Sequence, residues 1–286
     1  MNPDVHHFYH ESSGTISYVA SDPATGKTAI VDPVLGFSVV SGKTDTGPAD
    51  EIIDYVRARN LSVEWILETH AHADHLTSAP YLKSKLGGKV AIGEGIRDVQ
   101  SNFMPVFNLK PPFVADGSQF DYLFTDDEVF AIGDISARVM HTPGHTSDSV
   151  TYVIGNAAFV GDTVFMTDYG TARCDFPGGD AGSLYDSIQK LLALPDDTIC
   201  FLCHDYPPNE REVRCAVPVA EQRADNIHIG DGASREEFVA LREKRDAGLD
   251  LPALILPSIQ VNIRAGHMPE AEDNKISYLK IPLDTL

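Results

Sequence analysis

The chain has 286 residues, with 43% hydrophobic and 22% charged positions, an ordinary globular balance that allows one or two domains around a sizeable core. Its 22 Lys and Arg stand against 42 Asp and Glu, a formal net charge of −20. An acidic surface of that size repels phosphate backbones and anionic lipid, so nucleic acid and membrane are excluded as expected partners.

In chain order, Met1 to His7 carries no basic region followed by an apolar core, and no run approaches transmembrane length; neither a signal peptide nor a membrane span is expected. Thr15 to Ala20 and Thr28 to Val31 are strand-like and flank the turn formers Asp22 to Lys27, which predicts a hairpin. A helix is expected from Asp50, as its N-cap, to Arg59, with Ile52, Ile53 and Val56 on one face. Val63 to Leu67 reads as a buried strand that ends at a histidine-rich run. Thr77 or Ser78 with Pro80 opens a second helix, which Gly87-Gly88 stops after Leu86. Val90 to Ile92 is a short strand. Residues 98 to 118, broken by Pro105, Pro111 and Pro112, show no period and are expected to form an irregular surface excursion at a subunit contact. Strands follow at Val129 to Ile132, Ile135 to Met140, Val150 to Ile154 and Ala157 to Val160. The helix Ser183 to Leu194 aligns Leu184, Ile188, Leu191 and Leu192, and Thr198 to Leu202 is the next strand. Ser234-Arg235-Glu236-Glu237 is a capping-box pattern that opens a helix to about Gly248, followed by a Pro-containing tail. This order, with no short-period repeat, predicts an α/β chain whose sheets are covered by helices. The 4 cysteines, Cys174, Cys200, Cys203 and Cys215, are too few for a disulfide scaffold, so a reducing compartment, the cytoplasm, is expected.

Histidines and aspartates gather where apolar strands end: His70, His72, Asp74 and His75 after Trp65 to Thr69, His145 after Val139-Met140 and a turn, Asp162 after Phe159 to Gly161, and His204 after Phe201 to Cys203. Loops at strand ends are where folds place reacting groups. Imidazole with carboxylate is the ligand set of zinc, iron and manganese. In an extended segment His70 and His72 point the same way, while Asp74 and His75 fall past a bend and face a second position. Gly161 allows the chain before Asp162 to approach closely. Any one of these residues alone is more often a surface or core residue; their joint placement after strands is the signal. Cys200-Phe201-Leu202-Cys203-His204 also matches the C-x-x-C-H pattern of haem attachment. The strand position of Cys200 and the competing role of His204 set that aside, and the thiols are expected as small packing residues.

Thr69 to His75, with Thr142-Pro143-Gly144-His145-Thr146, Gly161-Asp162 and His204-Asp205-Tyr206, resembles the T-H-x-H-x-D-H signature and later motifs of the metallo-β-lactamase superfamily. Within it the chain is similar to glyoxalase II and, more closely, to the persulfide dioxygenases. Ile30-Val31-Asp32-Pro33-Val34 resembles an early strand-end motif of that branch. Thr171 to Phe176 resembles its G-R-T-D-F loop, with alanine and cysteine replacing glycine and threonine. The likeness covers most of residues 10 to 210; the stretch 98 to 118 and the tail from 220 look like those of a bacterial subgroup.

The resemblance implies a four-layer αββα sandwich over residues 1–215, with the metal site at one edge between the sheets and residues 216–286 as a C-terminal extension packed on the same domain. It implies one Fe(II) per chain on His70, His145 and Asp162, a facial triad with open positions. His72, Asp74, His75 and His204 would line the pocket that holds a second metal in glyoxalase II. The implied reaction oxidises glutathione persulfide with O2 and water to sulfite and glutathione. Arg173 offers a planar fork to a glutathione carboxylate, with Tyr206, Asn262 and Arg264 as further expected contacts and Asp175 as the acceptor that orients a ligand histidine. The same metal-site residues serve a glyoxalase II-type dinuclear zinc hydrolase of thioesters equally well, and zinc would also fill them in a chain isolated with the wrong metal. A non-enzymatic metal-dependent sensor is a third reading, and lactonase or β-lactamase activity a weaker one. The excursion and the tail suggest a homodimer.

Overall fold

The computed structural model describes residues 1–208 and 211–285. In chain order the elements are β1 (Asp4–His10), β2 (Thr15–Ser21), β3 (Lys27–Val31), β4 (Val34–Ser38), β5 (Lys43–Asp45), α1 (Gly47–Ala58), β6 (Ser62–Leu67), β7 (Leu76–Thr77), α2 (Ala79–Leu86), β8 (Lys89–Gly93), α3 (Ile96–Val106) and β9 (Tyr122–Phe124). The second half continues with β10 (Val129–Ile132), β11 (Ile135–His141), β12 (Val150–Ile154), β13 (Ala157–Phe159), α4 (Ala181–Leu192), β14 (Ile199–Phe201), β15 (Ala216–Pro218), α5 (Val219–Asp225), α6 (Arg235–Asp246) and α7 (Ile255–Asn262). One six-stranded sheet runs β1-β2-β3-β6-β8-β9, the other β10-β11-β12-β13-β14-β15, and a small sheet β5-β4-β7 sits apart.

The period-two alternation of strand side chains builds the layers. Ile16, Tyr18 and Ala20 of β2, Ala29 and Val31 of β3, and Val150, Tyr152 and Ile154 of β12 fill the core between the sheets. Their alternates face outward: Val19 and Ile30 pack under α1, α2, α3 and α7, and Val153 packs with Ala158 and Cys200 under α4, α5 and α6. This is the expected αββα order. Along one edge the sheets are tied by main chain, with Ile16 N donating to Cys203 O at 2.7 Å and Val150 N to Thr69 O at 2.9 Å. The metal-type residues sit at that edge. No helix among the described residues is long and apolar enough to cross a membrane.

Several expectations need correction. The stretch 98 to 118 is not an irregular excursion: α3 occupies its first half, with Ile96, Val99 and Phe103 buried on one stripe, and Phe107, Leu109, Phe113 and Phe120 anchor the rest in the core. Pro105 lies in the last turn of α3, where it truncates the helix without preventing it. Helix α1 begins at Gly47 with Pro48 in its first turn; Asp50 lies inside the helix and accepts from Thr46 Oγ1 at 2.8 Å. The tail carries α7, and Gln260 ties the chain end down by exchanging hydrogen bonds with Lys280 N and O at 2.8 and 2.9 Å. Strand β1, an edge strand of mixed polarity, left no apolar alternation to read. The capping box of α6 formed as expected between Ser234 and Glu237.

Candidate metal centre

Residues 70–75 leave β6 without regular structure, so their backbone groups must be satisfied from elsewhere. Asp148 accepts from Ala71 N at 2.8 Å. Asn262 on α7 donates to His72 O and His75 O, both at 2.8 Å, and accepts from Thr77 N at 2.9 Å. Asp32, in the left-handed region at φ +47 just past β3, accepts from Thr69 N at 2.7 Å and Thr69 Oγ1 at 2.9 Å. Two glycines are obligatory for this packing. At Gly161 (φ +51) a Cβ would stand 2.7 Å from Thr69 Oγ1, and at Gly144 (φ +142) one would stand 2.3 Å from Leu184 Cα.

Donor atoms of His70, His145 and Asp162 lie within 4.8 Å of one another, as do those of His72, Asp74 and His75. Asp162 stands between groups: Oδ2 is 3.5 Å from His145 Nε2, and Oδ1 is 3.4 Å from His204 Nε2, which is itself 3.6 Å from Asp74. One nitrogen of every imidazole is engaged by the protein. His70 Nδ1 meets Thr69 Oγ1 at 3.0 Å, His72 Nε2 meets Asp32 at 3.0 Å, and His75 Nδ1 meets Asp74 at 3.1 Å. His145 Nδ1 donates to Arg173 O at 2.8 Å, and His204 Nδ1 to Gly14 O at 3.2 Å. What remains is a set of buried atoms with no hydrogen-bond partner: His70 Nε2, His72 Nδ1, His75 Nε2 and Asp162 Oδ1. Native interiors rarely leave such groups orphaned. Imidazoles fixed through one nitrogen and bare at the other are the arrangement in which histidine binds a metal ion, so the residues present fit one.

Electrostatics favour the same state. Burial, reinforced by His72, holds His70 well below the usual histidine range; burial, reinforced by His75, does the same for His72. Both rings are therefore neutral at neutral pH, the form that ligates. Burial alone would raise the Asp74 carboxyl, but His204 and His75 beside it outweigh burial and hold it well below the usual carboxylate range. Burial likewise opposes charge on His204, yet Asp162 and Asp74 raise it.

A cavity of about 270 Å³ opens over Asp74, His145, Asp162 and His204, with Arg173 and Tyr206 in its walls. The Arg173 fork is already engaged: Nε and Nη2 each lie 2.6 Å from the Asp175 carboxylate, and Nη1 donates to Asp250 O at 2.6 Å. Asp175 therefore pairs with Arg173 and does not orient a histidine; the Arg173 carbonyl does that. Tyr206 stacks on His204, with ring centroids 5.5 Å apart. Asn262 and Arg264 do not line this cavity. Asn262 is buried beneath the 70–75 loop, its amide spent on the backbone groups named above. Arg264 lies over the Phe113 ring at 4.8 Å and lines a separate cavity near Lys110 and Lys280. Asp148 and the Arg173 carbonyl were missed in the sequence, and Asp32 stood there only within the strand-end motif Ile30 to Val34, with no role assigned. Cys200 faces the core under α4 while Cys203 lies 3.7 Å from Asp32, so the two thiols share no face for a haem.

The family model described as the Metallo-beta-lactamase superfamily matches residues 13–204. A probable metallo-hydrolase of Burkholderia pseudomallei is 52% identical over 98% of this chain and 98% of its own length. Glyoxylase B2 of Dictyostelium discoideum is 52% identical over 96% and 94%. The mitochondrial persulfide dioxygenase ETHE1 of Homo sapiens is 28% identical over 89% and 85%. Among solved structures, ETHE1 from Myxococcus xanthus superimposes with a TM-score of 0.74 at 28% identity, over 92% of this chain and 100% of that one.

Proposed function

The chain belongs to the metallo-beta-lactamase superfamily, and from that premise we propose that it is a mononuclear non-haem Fe(II) persulfide dioxygenase, oxidising glutathione persulfide with O2 and water to sulfite and glutathione. The observation that carries the proposal is the triad His70, His145 and Asp162: two imidazoles and one carboxylate on three separate loops, with His70 Nε2 and Asp162 Oδ1 buried and without a hydrogen-bond partner. Two histidines and a carboxylate are the donor set of non-haem iron oxygenases. Similarity to the ETHE1 structure along nearly the whole chain is the second support. An Fe(II) ion on those donors would supply the oxygen chemistry that redox-inert zinc lacks. The chain's own residues do the rest. Thr69 and the Arg173 carbonyl fix the ring planes of His70 and His145. The triad contributes a single negative charge, which leaves a divalent site suited to an anionic sulfur. Arg173 and Tyr206 are the proposed contacts for glutathione, while His72, Asp74, His75 and His204 keep the second pocket polar. Residues 216–286 are proposed as an extension of the 1–215 catalytic unit.

A second reading, a dinuclear thioester hydrolase, is favoured by one observation: His72 Nδ1 and His75 Nε2 are also bare, so donors for a second ion are at hand. Its nucleophile would be a metal-activated water. Relatives at 52% identity named metallo-hydrolase and glyoxylase lean the same way. Reloading the metal-free chain with Fe(II) or Zn(II) tests the choice. The proposal expects sulfite from glutathione persulfide, one O2 consumed per sulfite, with Fe(II) alone. A Zn(II) form that cleaves glutathione thioesters while the Fe(II) form takes up no O2 would contradict it.

A further inference from the structure

The segment Gly170 to Cys174 walls the cavity through Thr171, Ala172 and Arg173 and supplies the carbonyl, that of Arg173, on which His145 Nδ1 rests at 2.8 Å. It belongs to no helix or named strand, and its main chain is held by side chains from the last quarter of the sequence. Asn226 donates to Gly170 O at 3.0 Å, His228 Nδ1 accepts from Thr171 N at 3.0 Å, Arg242 donates to Thr171 O at 3.1 Å, and Asp246 accepts from Cys174 N at 2.9 Å. Arg242 and Asp246 also pair with each other, one turn apart on α6. All four side chains are at most 5% exposed. The His228 ring is seated directly against the segment: a Cβ on Gly170 would stand 2.2 Å from its Nδ1. Burial, with Arg242 and Arg245 nearby, pushes His228 down to about 4, which leaves Nδ1 free to accept.

A buried ion pair is weak grounds for stability, since apolar residues of like volume often do as well. Four buried polar side chains bonded to Gly170, Thr171 and Cys174, on both sides of Arg173, need another reason, and the Arg173 carbonyl gives one. We propose that Asn226, His228, Arg242 and Asp246 are positioning residues for metal binding: they fix the 170–174 segment so that its carbonyl holds His145 in the ligating orientation before any metal arrives. This rests on His145 being a ligand, as proposed above, and is independent of which metal or reaction the site serves.

The test is Zn(II) affinity of the full-length chain, measured by competition with a chromophoric chelator. Loss of a group that orients a ligand typically costs about 10- to 100-fold in metal affinity. His228→Ala removes the acceptor for Thr171 N–H and is expected to weaken binding about 10-fold or more; His228→Asn, whose carbonyl oxygen can replace Nδ1, is expected to restore most of it. A folded His228→Ala chain with unchanged affinity, or a His228→Asn chain as weak as His228→Ala, would overturn the inference. His145→Ala separates the layers of the claim. Unchanged affinity there overturns the ligand assignment, whereas weakened affinity beside an unaffected His228→Ala overturns the positioning role alone. Should His228→Ala fail to fold, hydrogen exchange on the unaltered chain decides. Amides of 170–174 stay protected after chelation if the C-terminal side chains hold them; selective loss of their protection on metal removal means the metal orders the segment instead.

Discussion

Arg173 holds His145 through its main chain, and the proposed role of its side chain in binding substrate is separable from that by substitution. Its carbonyl holds His145, and any residue supplies a carbonyl. Its guanidinium borders the cavity, paired with Asp175 but with N–H groups left over beyond the three bonds it makes. Arg173→Ala is therefore expected to leave the bound metal in place and raise KM for glutathione persulfide about 10- to 100-fold, in line with a charge-assisted hydrogen bond of about 1.5–3 kcal/mol. Steady-state kinetics with metal analysis on the same sample checks this, and an unchanged KM would remove the side chain from the substrate site. Residue identity is the scale at which the sequence was most legible. His70, His72, Asp74, His75, His145, Asp162 and His204 come together at one edge because each follows a strand, and both chemical type and strand-end position are local properties. The use of a main-chain carbonyl is not local in that sense, because every residue has one, and so the support under His145 went unread.

At the scale of elements, α7 shows what a short helix far along the chain contributes. Asn262 reaches back across 190 residues to His72 O, and its amide also serves His75 O and Thr77 N. Asn262→Ala would orphan three buried backbone groups, each worth about 1–3 kcal/mol when left unsatisfied. A loss of about 2–4 kcal/mol is expected after partial rewetting, with weakened metal retention. Urea unfolding of the metal-free chain and metal analysis after dialysis measure both; a chain as stable and as well loaded as the original would contradict the role. The helices read correctly were those with start signals in their own sequence, such as the Ser234–Glu237 box of α6 and the Ser78-Ala79-Pro80 opening of α2. Helix α3 was lost to its prolines, although Ile96, Val99 and Phe103 carry a helical stripe. Asn262 was expected as a substrate contact, and only the three-dimensional path shows it beneath the loop, bound to the backbone of His72, His75 and Thr77.

Across the whole molecule, two sheets that each bury both faces create one edge where strand ends from both meet, and main-chain bonds between β2 and the residue before His204 close it. An α/β chain with helix-covered sheets was legible in the order of strands and helices, whereas the four-layer αββα arrangement came from the family resemblance, since the pairing of two sheets face to face is not written along any one strand. The number of metal ions was not, because His72 and His75 present bare nitrogens as His70 does. Titrating the metal-free chain with Fe(II) while following O2 uptake on glutathione persulfide tests the central claim most directly. The account predicts that uptake rises to a plateau at one iron per chain and is abolished by Asp162→Ala. Uptake that climbs to two irons per chain, or none at any loading, would contradict it.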